Sequence, residues 1–397
     1  RYPKQDLSTS LNKISTCLEV LYKHLFSRIL FLLLGGLMLT NREQMIFNWI
    51  KEQPSITQKE IAERAGISRS SVSVHISNLT AKGAILGRRY ILSERPYVIV
   101  IGAANMDIAG RPDSSLVAGD SNPGKVTMSF GGVGRNIAHN LALLDGDVRL
   151  LTAFGEDYRA RELKEGCLDC GIDIDASITV PGASTSTYLF IMDEQGEMQE
   201  AINDMQIYEY VTPERIEERL DIIQHAAACV IDTNLPQQTI EFIAKNVTCP
   251  IFCDPVSSIK AQKLKKVLGK IHTLKPNHLE AEALSGIKIT DNASLEAAAH
   301  ELLATGLKRV FISLGEKGLF CADHEKTILL PLLPAKLVNM TGAGDAIMAG
   351  VTWAYTQGMT LEQTGLVGLA ASTMAVEGEN TINEQLNVEE VIKRAGI

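Results

Sequence analysis

Proline is scarce in this chain, 13 in 397 residues, and aromatic side chains make up only 5% of it. With 31 glycines among them, these proportions exclude both a disordered tract and a fibrous protein. Cysteine is also sparse: seven residues, at 17, 167, 170, 229, 249, 253 and 321. An odd, scattered set excludes a secreted disulfide scaffold and fits reduced thiols, so a cytoplasmic location is expected. No apolar run reaches the roughly 20 residues that cross a bilayer; the uncharged stretch from Ile29 to Leu39 is too short, and no small-residue cleavage site follows it. No membrane partner is therefore expected. Translation is expected to begin at Met38, leaving residues 1–37 as an upstream extension, with an interfacial anchor or an extra packed helix as alternatives.

What the chain does have is apolar bulk and an uneven charge. At 45% hydrophobic and 21% charged residues it can build a large core, and its length suggests two domains, three at most. The net charge of -9 conceals two regions of opposite sign. Residues 38–95 carry nine Lys/Arg against five Asp/Glu, and residues 96–397 carry 24 against 40. A small basic unit thus precedes a large acidic one. Basic surface attracts nucleic acid, whereas an acidic body needs local devices to hold an anion.

The basic unit, residues 38–95, reads as a winged helix-turn-helix. Residues 41–52 place Met45, Ile46, Trp49 and Ile50 on one helical face before Pro54 ends it. Thr57 with Glu60 forms a capping-box pattern for a second helix, Gly66–Ile67 make the turn, and Ser68 caps a third helix running to about Lys82. Residues 84–92 read as a hairpin wing. Short donors and a cation at the start of the third helix (Arg69, Ser70, Ser71, Ser73) suit a DNA major groove, with Arg88 and Arg89 on the wing for phosphates. The alternative is a docking or dimerisation module.

Residues 96–397 alternate strand and helix patterns. Strands are expected near 97–108, 149–157, 228–236, 250–256, 271–277 and 309–318, with amphipathic helices between them. This alternation predicts an α/β fold, a mostly parallel sheet covered by helices on both faces, with ligands beyond the carboxyl ends of the strands. Residues 184–204 break the rhythm, reading as two strands around an EQG turn, a small β lid.

Two glycine-bearing segments carry the chemistry. In NMTGAGDAIMAG (339–350), Gly342, Ala343 and Gly344 precede a helix whose first amides would cradle an anion. Asp345, in the first turn, would repel a phosphate if binding were its only duty; its sensible task is to take a proton from a hydroxyl attacking the cradled phosphorus. No Lys-Ser/Thr follows, so this is not a Walker loop, and a plain glycine-rich helix cap is the bland alternative. The second segment, GGVGRNIAHN (131–140), supplies only a GxG after the first strand and a long loop, too little for a dinucleotide fingerprint. Asn136 there, with Asn105 and Asp107 at the first strand's end, describes a polyol pocket.

Together, GGVGRNIAHN and NMTGAGDAIMAG, with NMD near residue 105 and KPNHLEAE between, resemble the two signatures of the ribokinase-like (PfkB) family of carbohydrate and nucleoside kinases. The resemblance covers Tyr97 to the C-terminus, and within the family GEMQEAINDM, FCDPVS and KIHTLKPNHLEAEALSGI are most similar to the pseudouridine kinases. It implies an ATP- and Mg²⁺-dependent kinase acting on the 5′-hydroxyl of pseudouridine or a related ribosyl compound. It implies Asp345 as catalytic base, Gly342, Ala343 and Gly344 as anion hole, and Asn105, Asp107, Gly132, Asn136 and Asn234 around the sugar. Asn277 and Glu280 would organise Mg²⁺ and phosphate, Ser313, Gly315 and Gly318 would form the nucleotide loop, and Thr341 would adjoin it. Many relatives carry Asp two residues before that Thr, in a monovalent-cation site; Asn339 stands there here, which puts a K⁺ requirement in question. A homodimer is the expected assembly. The rival readings are a sugar kinase of other specificity and a ligand-sensing transcriptional regulator on a kinase fold. Cys167 and Cys170 form a lone C-x-x-C without a second pair at metal spacing, and His139 reads as a packed imidazole.

Overall fold

A computed structural model describes residues 39–53, 56–82 and 96–397. The chain divides into two compact units, the first ending at Leu92 and the second beginning at Ser93. The wing, with Arg88 and Arg89, and the extension 1–37 lie outside the described residues.

In the first unit, α1 (Asn41–Glu52), α2 (Gln58–Ala65) and α3 (Arg69–Ala81) follow one another with short connections. Thr40 with Glu43 and Thr57 with Glu60 form complete capping boxes, and Gly66 ends α2 in the left-handed region at φ 63°. Ile46, Ile56, Ile61, Val72 and Leu79 form a small core. Met45, expected on the inner face of α1, is instead exposed, and Ile46 with the half-buried Trp49 and Ile50 supplies that face.

The second unit holds fourteen strands among its described residues. In chain order these are β1 (Tyr97–Ile101), β2 (Asn105–Pro112), β3 (Gly124–Gly131), β4 (Asp147–Leu151), β5 (Ala153–Phe154), β6 (Ile178–Thr179), β7 (Thr187–Met192), β8 (Met198–Asp204), β9 (Ala228–Asp232), β10 (Ile251–Asp254), β11 (Thr273–Leu274), β12 (Arg309–Ser313), β13 (Leu319–Asp323) and β14 (Thr327–Leu330). The main sheet has the order β14-β13-β12-β11-β10-β9-β1-β4, parallel from β4 to β12, with β13 and β14 antiparallel at one edge. Its longer helices are α4 (Val133–Leu143), α5 (Tyr158–Asp169), α6 (Gln237–Asn246), α7 (His278–Ser285), α8 (Asn292–Ala304), α9 (Ala343–Thr356), α10 (Leu361–Val376) and α11 (Val388–Ala395). Alternate residues of β1 feed two cores: Ile99 and Ile101 pack with the partners of α6 and α8, whereas Val98 and Val100 pack with α4 and α9. A strand buried on both faces needs such continuous apolar runs.

The lid is a four-stranded sheet, β3-β2-β7-β8, larger than the expected hairpin. The 97–108 run does not continue as one strand. It breaks at Gly102–Ala104, where a Cβ on Gly102 would collide with the Asp232 carboxylate, and residues 105–112 leave the main sheet to join the lid. The expected loop before the second glycine segment is β3, paired with β2 from Asn105–Gly131 to Pro112–Gly124. Asp157 pins the lid's base: its carboxylate accepts from the Thr185 amide at 2.9 Å and the Thr185 hydroxyl at 2.6 Å.

Candidate active site

α9 starts at Gly342, held at φ 84°, and no side chain caps its first amides. A Cβ on Gly342 would run into the Thr381 carbonyl, so only glycine can make this turn without displacing residues 379–384. Uncapped amides at a helix start leave N–H donors and the positive end of the helix dipole free for an anion. Asp345 sits in that first turn, and its Oδ2 accepts a hydrogen bond from Asn136 Nδ2 at 2.9 Å. Burial, aided by the nearby Asp254 carboxylate, pushes the Asp345 carboxyl up to about 7, while the Asn136 bond and the Lys275 ammonium hold it down. Such a group is half ionised near neutral pH, the range in which a general base works best.

The bond from Asn136 joins the two glycine segments. Gly132 precedes α4 at φ 97° and lies so close to Ala103 that any Cβ would collide with its carbonyl; Asn136 follows one turn on, buried. On β2, Asn105 Nδ2 donates to Asp107 Oδ1. Burial raises the Asp107 carboxyl to about 6, against the Asn105 bond and the Arg135 charge. A cavity of about 1070 Å³ opens between the lid and the body, lined by Asp107, Arg135, Tyr188, Phe190, Met198 and Thr341 among others. One wall is thus polar and the other aromatic and thioether. Of the residues read from sequence, Asp107, His139, Asn339 and Thr341 line this space, whereas Asn136 and Asp345, bonded to each other, are not among its lining residues.

Asn277 caps α7, its Oδ1 accepting from the Glu280 amide at 3.0 Å while Glu280 Oε2 accepts from the Asn277 amide at 2.8 Å. The N-x-x-E pattern is therefore a capping box as well as a possible metal-organising pair. Asn277 bridges Ser313, which brings the motif beside the turn from Ser313 to Gly318. Gly315 and Gly318 hold φ 58° and 95° in that turn. Among the described residues no hydrogen bond ties this turn to Asp345. Asn234 lies apart from the cavity wall: its amide nitrogen donates to Asp232 Oδ1 at 2.8 Å, and its Oδ1 accepts from Lys260 Nζ at 2.6 Å.

Three sets of contacts could not be read from the sequence. Lys275, buried, forms an ion pair of 2.9 Å with the equally buried Asp254. Asp232, buried at the end of β9, accepts from the Ala103 amide at 2.8 Å and anchors the crossover into the lid. Residues 379–384 run across the cavity mouth, where Asn339 Nδ2 donates to the Glu379 carbonyl at 3.1 Å and the Glu384 carboxylate lies 3.5 Å from His139 Nε2. KPN and FCDPVS held the first pair in plain view, but only the parallel pairing of β10 with β11 brings them together.

In the first unit, Arg69, Ser70 and Ser73 are exposed along α3 and Ser71 is half-buried. The Ser70 and Ser71 hydroxyls lie 2.8 and 2.9 Å from that of Ser68, so both take part in capping α3. Arg69 and Ser73 are the residues of this face whose side chains make no such local bond among the described residues. The six described cysteines are all free thiols, and no group of three or more metal-ligating His, Cys, Asp or Glu occurs among the described residues. No helix among them is long and apolar enough to cross a membrane.

Residues 95–387 match the model of the pfkB family of carbohydrate kinases, and residues 39–85 match that of winged helix-turn-helix DNA-binding domains. The chain is 40% identical to pseudouridine kinase of Escherichia coli strain K12 over 76% of its own length and 97% of that protein's. It is 36% identical to the uncharacterized sugar kinase YeiI of the same strain, over 89% of this chain and 98% of the relative. Among solved structures, a carbohydrate kinase from Agrobacterium tumefaciens superimposes with a TM-score of 0.68 at 27% identity, covering 76% of this chain and 97% of that one. Arabidopsis thaliana ribokinase, complexed with ribose and ATP, shares the fold with a TM-score of 0.69 at 23% identity, covering 76% and 99%. The chain belongs to the pfkB family of carbohydrate kinases, a ribokinase-like sugar or nucleoside kinase that carries a winged helix-turn-helix unit ahead of its catalytic body.

Proposed function

We propose that this kinase transfers the γ-phosphoryl of ATP to the 5′-hydroxyl of pseudouridine or a closely related nucleoside. The observation that carries the reaction type is the Asn136–Asp345 bond beside an uncapped helix start. The similarity to the E. coli pseudouridine kinase over nearly its full length supports the acceptor, and the aromatic and methionine wall of the cavity suits a base.

In this mechanism the acceptor's hydroxyl gives its proton to Asp345 while its oxygen attacks the γ-phosphorus. The bond from that phosphorus to the β–γ bridging oxygen breaks, ADP departs with the electron pair, and Asp345 returns the proton to solvent. Asn136 occupies Oδ2, which leaves Oδ1 to face the hydroxyl. The amides at 342–344 hold the phosphoryl oxygens as charge spreads over them. Asn105, Asp107, Gly132 and Asn136 surround the ribose, while Asn277, Ser313, Gly315, Gly318 and Thr341 serve the nucleotide. Burial and the neighbouring Asp254 raise the Glu280 carboxyl, so negative charge is disfavoured in this acidic pair, a penalty that a hard cation would relieve. It fits Mg²⁺ bound largely through water and phosphate oxygens, which would neutralise the triphosphate. At the position of the monovalent-cation acid the neutral Asn339 donates Nδ2 to the Glu379 carbonyl and accepts from the Thr341 amide at 2.9 Å, so no carboxylate charge stands there to draw K⁺. An ADP-release screen over a nucleoside and sugar panel, with ³¹P NMR of the product, tests the assignment. Turnover of ribose or another sugar without turnover of pseudouridine would refute the acceptor.

A second activity rests on the first unit: the exposed Arg69 and Ser73 face supports DNA binding by the same chain, a working kinase that also regulates transcription. A gel shift on DNA flanking its own reading frame, with and without nucleoside, checks it. A homodimer is the assembly this reading expects, with the exposed apolar Leu189 and Ile202 of the lid available for contact, and light scattering at micromolar concentration checks that.

A further inference from the structure

We propose that Lys275 is a catalytic residue of this phosphoryl transfer, its ammonium contacting the oxygens of the transferring phosphoryl at the rim of the 342–344 amides. The inference rests on the kinase reading and adds to it a group outside the glycine-Asp signature.

Lys275 follows directly on β11, its amide donating to the Cys253 carbonyl at 3.1 Å. That register points the side chain along the carboxyl edge of the sheet, where its Nζ pairs with Asp254 Oδ2 at 2.9 Å. An ammonium carries three N–H donors, and the ion pair with Asp254 is the only polar side-chain contact of Lys275 Nζ among the described residues. Gly344 shows how close the ammonium comes to the helix start. A Cβ on Gly344 would stand 2.9 Å from Lys275 Nζ, so a side chain there would push the ammonium aside. Gly344 has ordinary helical dihedrals and needs no glycine for its backbone. Glycine at 344 is explained by clearance: it lets the ammonium reach the same rim as the uncapped amides.

The charge around the site makes the same case. Asp232, Asp254, Glu280 and Asp345 all lie close enough to influence one another or Lys275, and Lys275 is the one cation shown acting on Asp345. Four carboxylates around one ammonium make a hostile place for a triphosphate unless a donor faces it. A buried ion pair kept only for the fold confers little stability over an apolar pair of similar size. Its retention beside the anion hole points to a duty in binding charge.

The rival is that Lys275 merely neutralises Asp254, and a double substitution separates the two. Lys275→Met alone strands a buried carboxylate and could unfold the protein, so it is paired with Lys275→Met/Asp254→Asn, which removes both charges and is compared with Asp254→Asn alone so that any loss owed to Asp254 itself is divided out. Thermal melting checks folding; calorimetry compares ADP with a non-transferable ATP analogue, both with Mg²⁺; ADP release gives kcat. In the folded double variant the analogue should lose roughly tenfold or more in affinity relative to ADP, or kcat should fall by roughly 100-fold or more, the scale of one charge-assisted contact to a phosphoryl group. A double variant that keeps both the analogue-to-ADP ratio and kcat within about threefold of wild type would leave the lysine a counter-ion only, and the proposal would be wrong. Wild-type protein that binds neither nucleotide would instead overturn the kinase reading itself.

Discussion

The charge state of Asp345 gives the sharpest test of the mechanism. Its carboxyl sits at about 7, well above its ordinary 3.8, so kcat/KM should rise with pH through a midpoint near 7 as the base ionises. Asn136→Ala removes the hydrogen bond that favours the ionised form and leaves burial and Asp254 unopposed. A hydrogen bond to a charged group contributes about 1.5–3 kcal/mol. Because Asp345 is partly open to solvent, the lower end applies, and about 1.4 kcal/mol corresponds to one pH unit. The midpoint should therefore move from near 7 to about 8. At pH 7 the variant should lose roughly fivefold through ionisation alone, approaching tenfold below about pH 6, and recover most of that loss by about pH 9.5. Coupled ADP release from pH 5.5 to 10, at saturating ATP and subsaturating acceptor, reads this directly. An acid limb that stays in place in Asn136→Ala, with activity lowered equally at every pH, would show that Asn136 does not bond the catalytic base.

Three further outcomes follow from the same geometry. Asp345→Asn should lower kcat by roughly 10²–10⁴-fold while raising the melting temperature at pH 8 and leaving it unchanged at pH 4. A carboxyl raised in the folded state favours folding fully below its ordinary value and loses that contribution as pH climbs to about 7, and the amide escapes the loss. Gly342→Ala, forced into φ 84° against the Thr381 carbonyl, should cost about 1–3 kcal/mol in urea denaturation, with activity falling further as residues 379–384 are displaced. Activity should be equal in K⁺ and in Cs⁺ or tetramethylammonium, whereas Asn339→Asp, by restoring a charge beside Thr341, should acquire a K⁺-dependent rise in both activity and melting temperature. K⁺ stimulation of the wild type would refute the reading of the Asn339 amide.

Much of this site was legible because its chemistry is local. Gly342 to Asp345 are consecutive, and a glycine turn, free amides and an acid in the first turn need nothing from elsewhere in the chain. Asn136 was legible as a polar residue one turn into a glycine-started helix, although its partner lies 209 residues away. Lys275 and Asp254 were not legible, since each stands alone at a strand end and only adjacent strands make them a pair. The lid was half legible. The alternation of 187–204 marked a hairpin, but KVTMSF in β3 is exposed almost throughout and lacks the buried face that gives strands their period. The break at residues 102–104 was hidden because an apolar run reads as one strand whether or not it changes sheets. Between the strands the expected helices are not all continuous: two short ones, Pro213–Glu217 and Leu220–Gln224, are interrupted at Glu218–Arg219. Arg219 there turns its guanidinium to the Ala176 carbonyl at 2.7 Å, a distant contact that periodicity cannot show.

The opposite charges of the two units set opposite demands on the anions they meet. The catalytic body, with 24 Lys/Arg against 40 Asp/Glu, repels a triphosphate at long range. Its grip must come from amides 342–344 and from cations within a few ångströms, and screening removes only the repulsion. Nucleotide association should therefore hold steady or quicken as salt rises from 50 to 300 mM. Residues 38–95 have nine Lys/Arg against five Asp/Glu, so their hold on DNA would come from counter-ion release. Each phosphate contact there adds about -0.9 to the slope of log K against log salt, and Arg69→Ala should flatten that slope by about 1 if Arg69 meets the backbone. Stopped-flow nucleotide binding and DNA titration on the same preparation would then show DNA affinity falling with salt while nucleotide association does not. If DNA binding were as indifferent to salt as nucleotide binding, α3 would not be reading a phosphate backbone, and the helix-turn-helix would be a docking module for another protein.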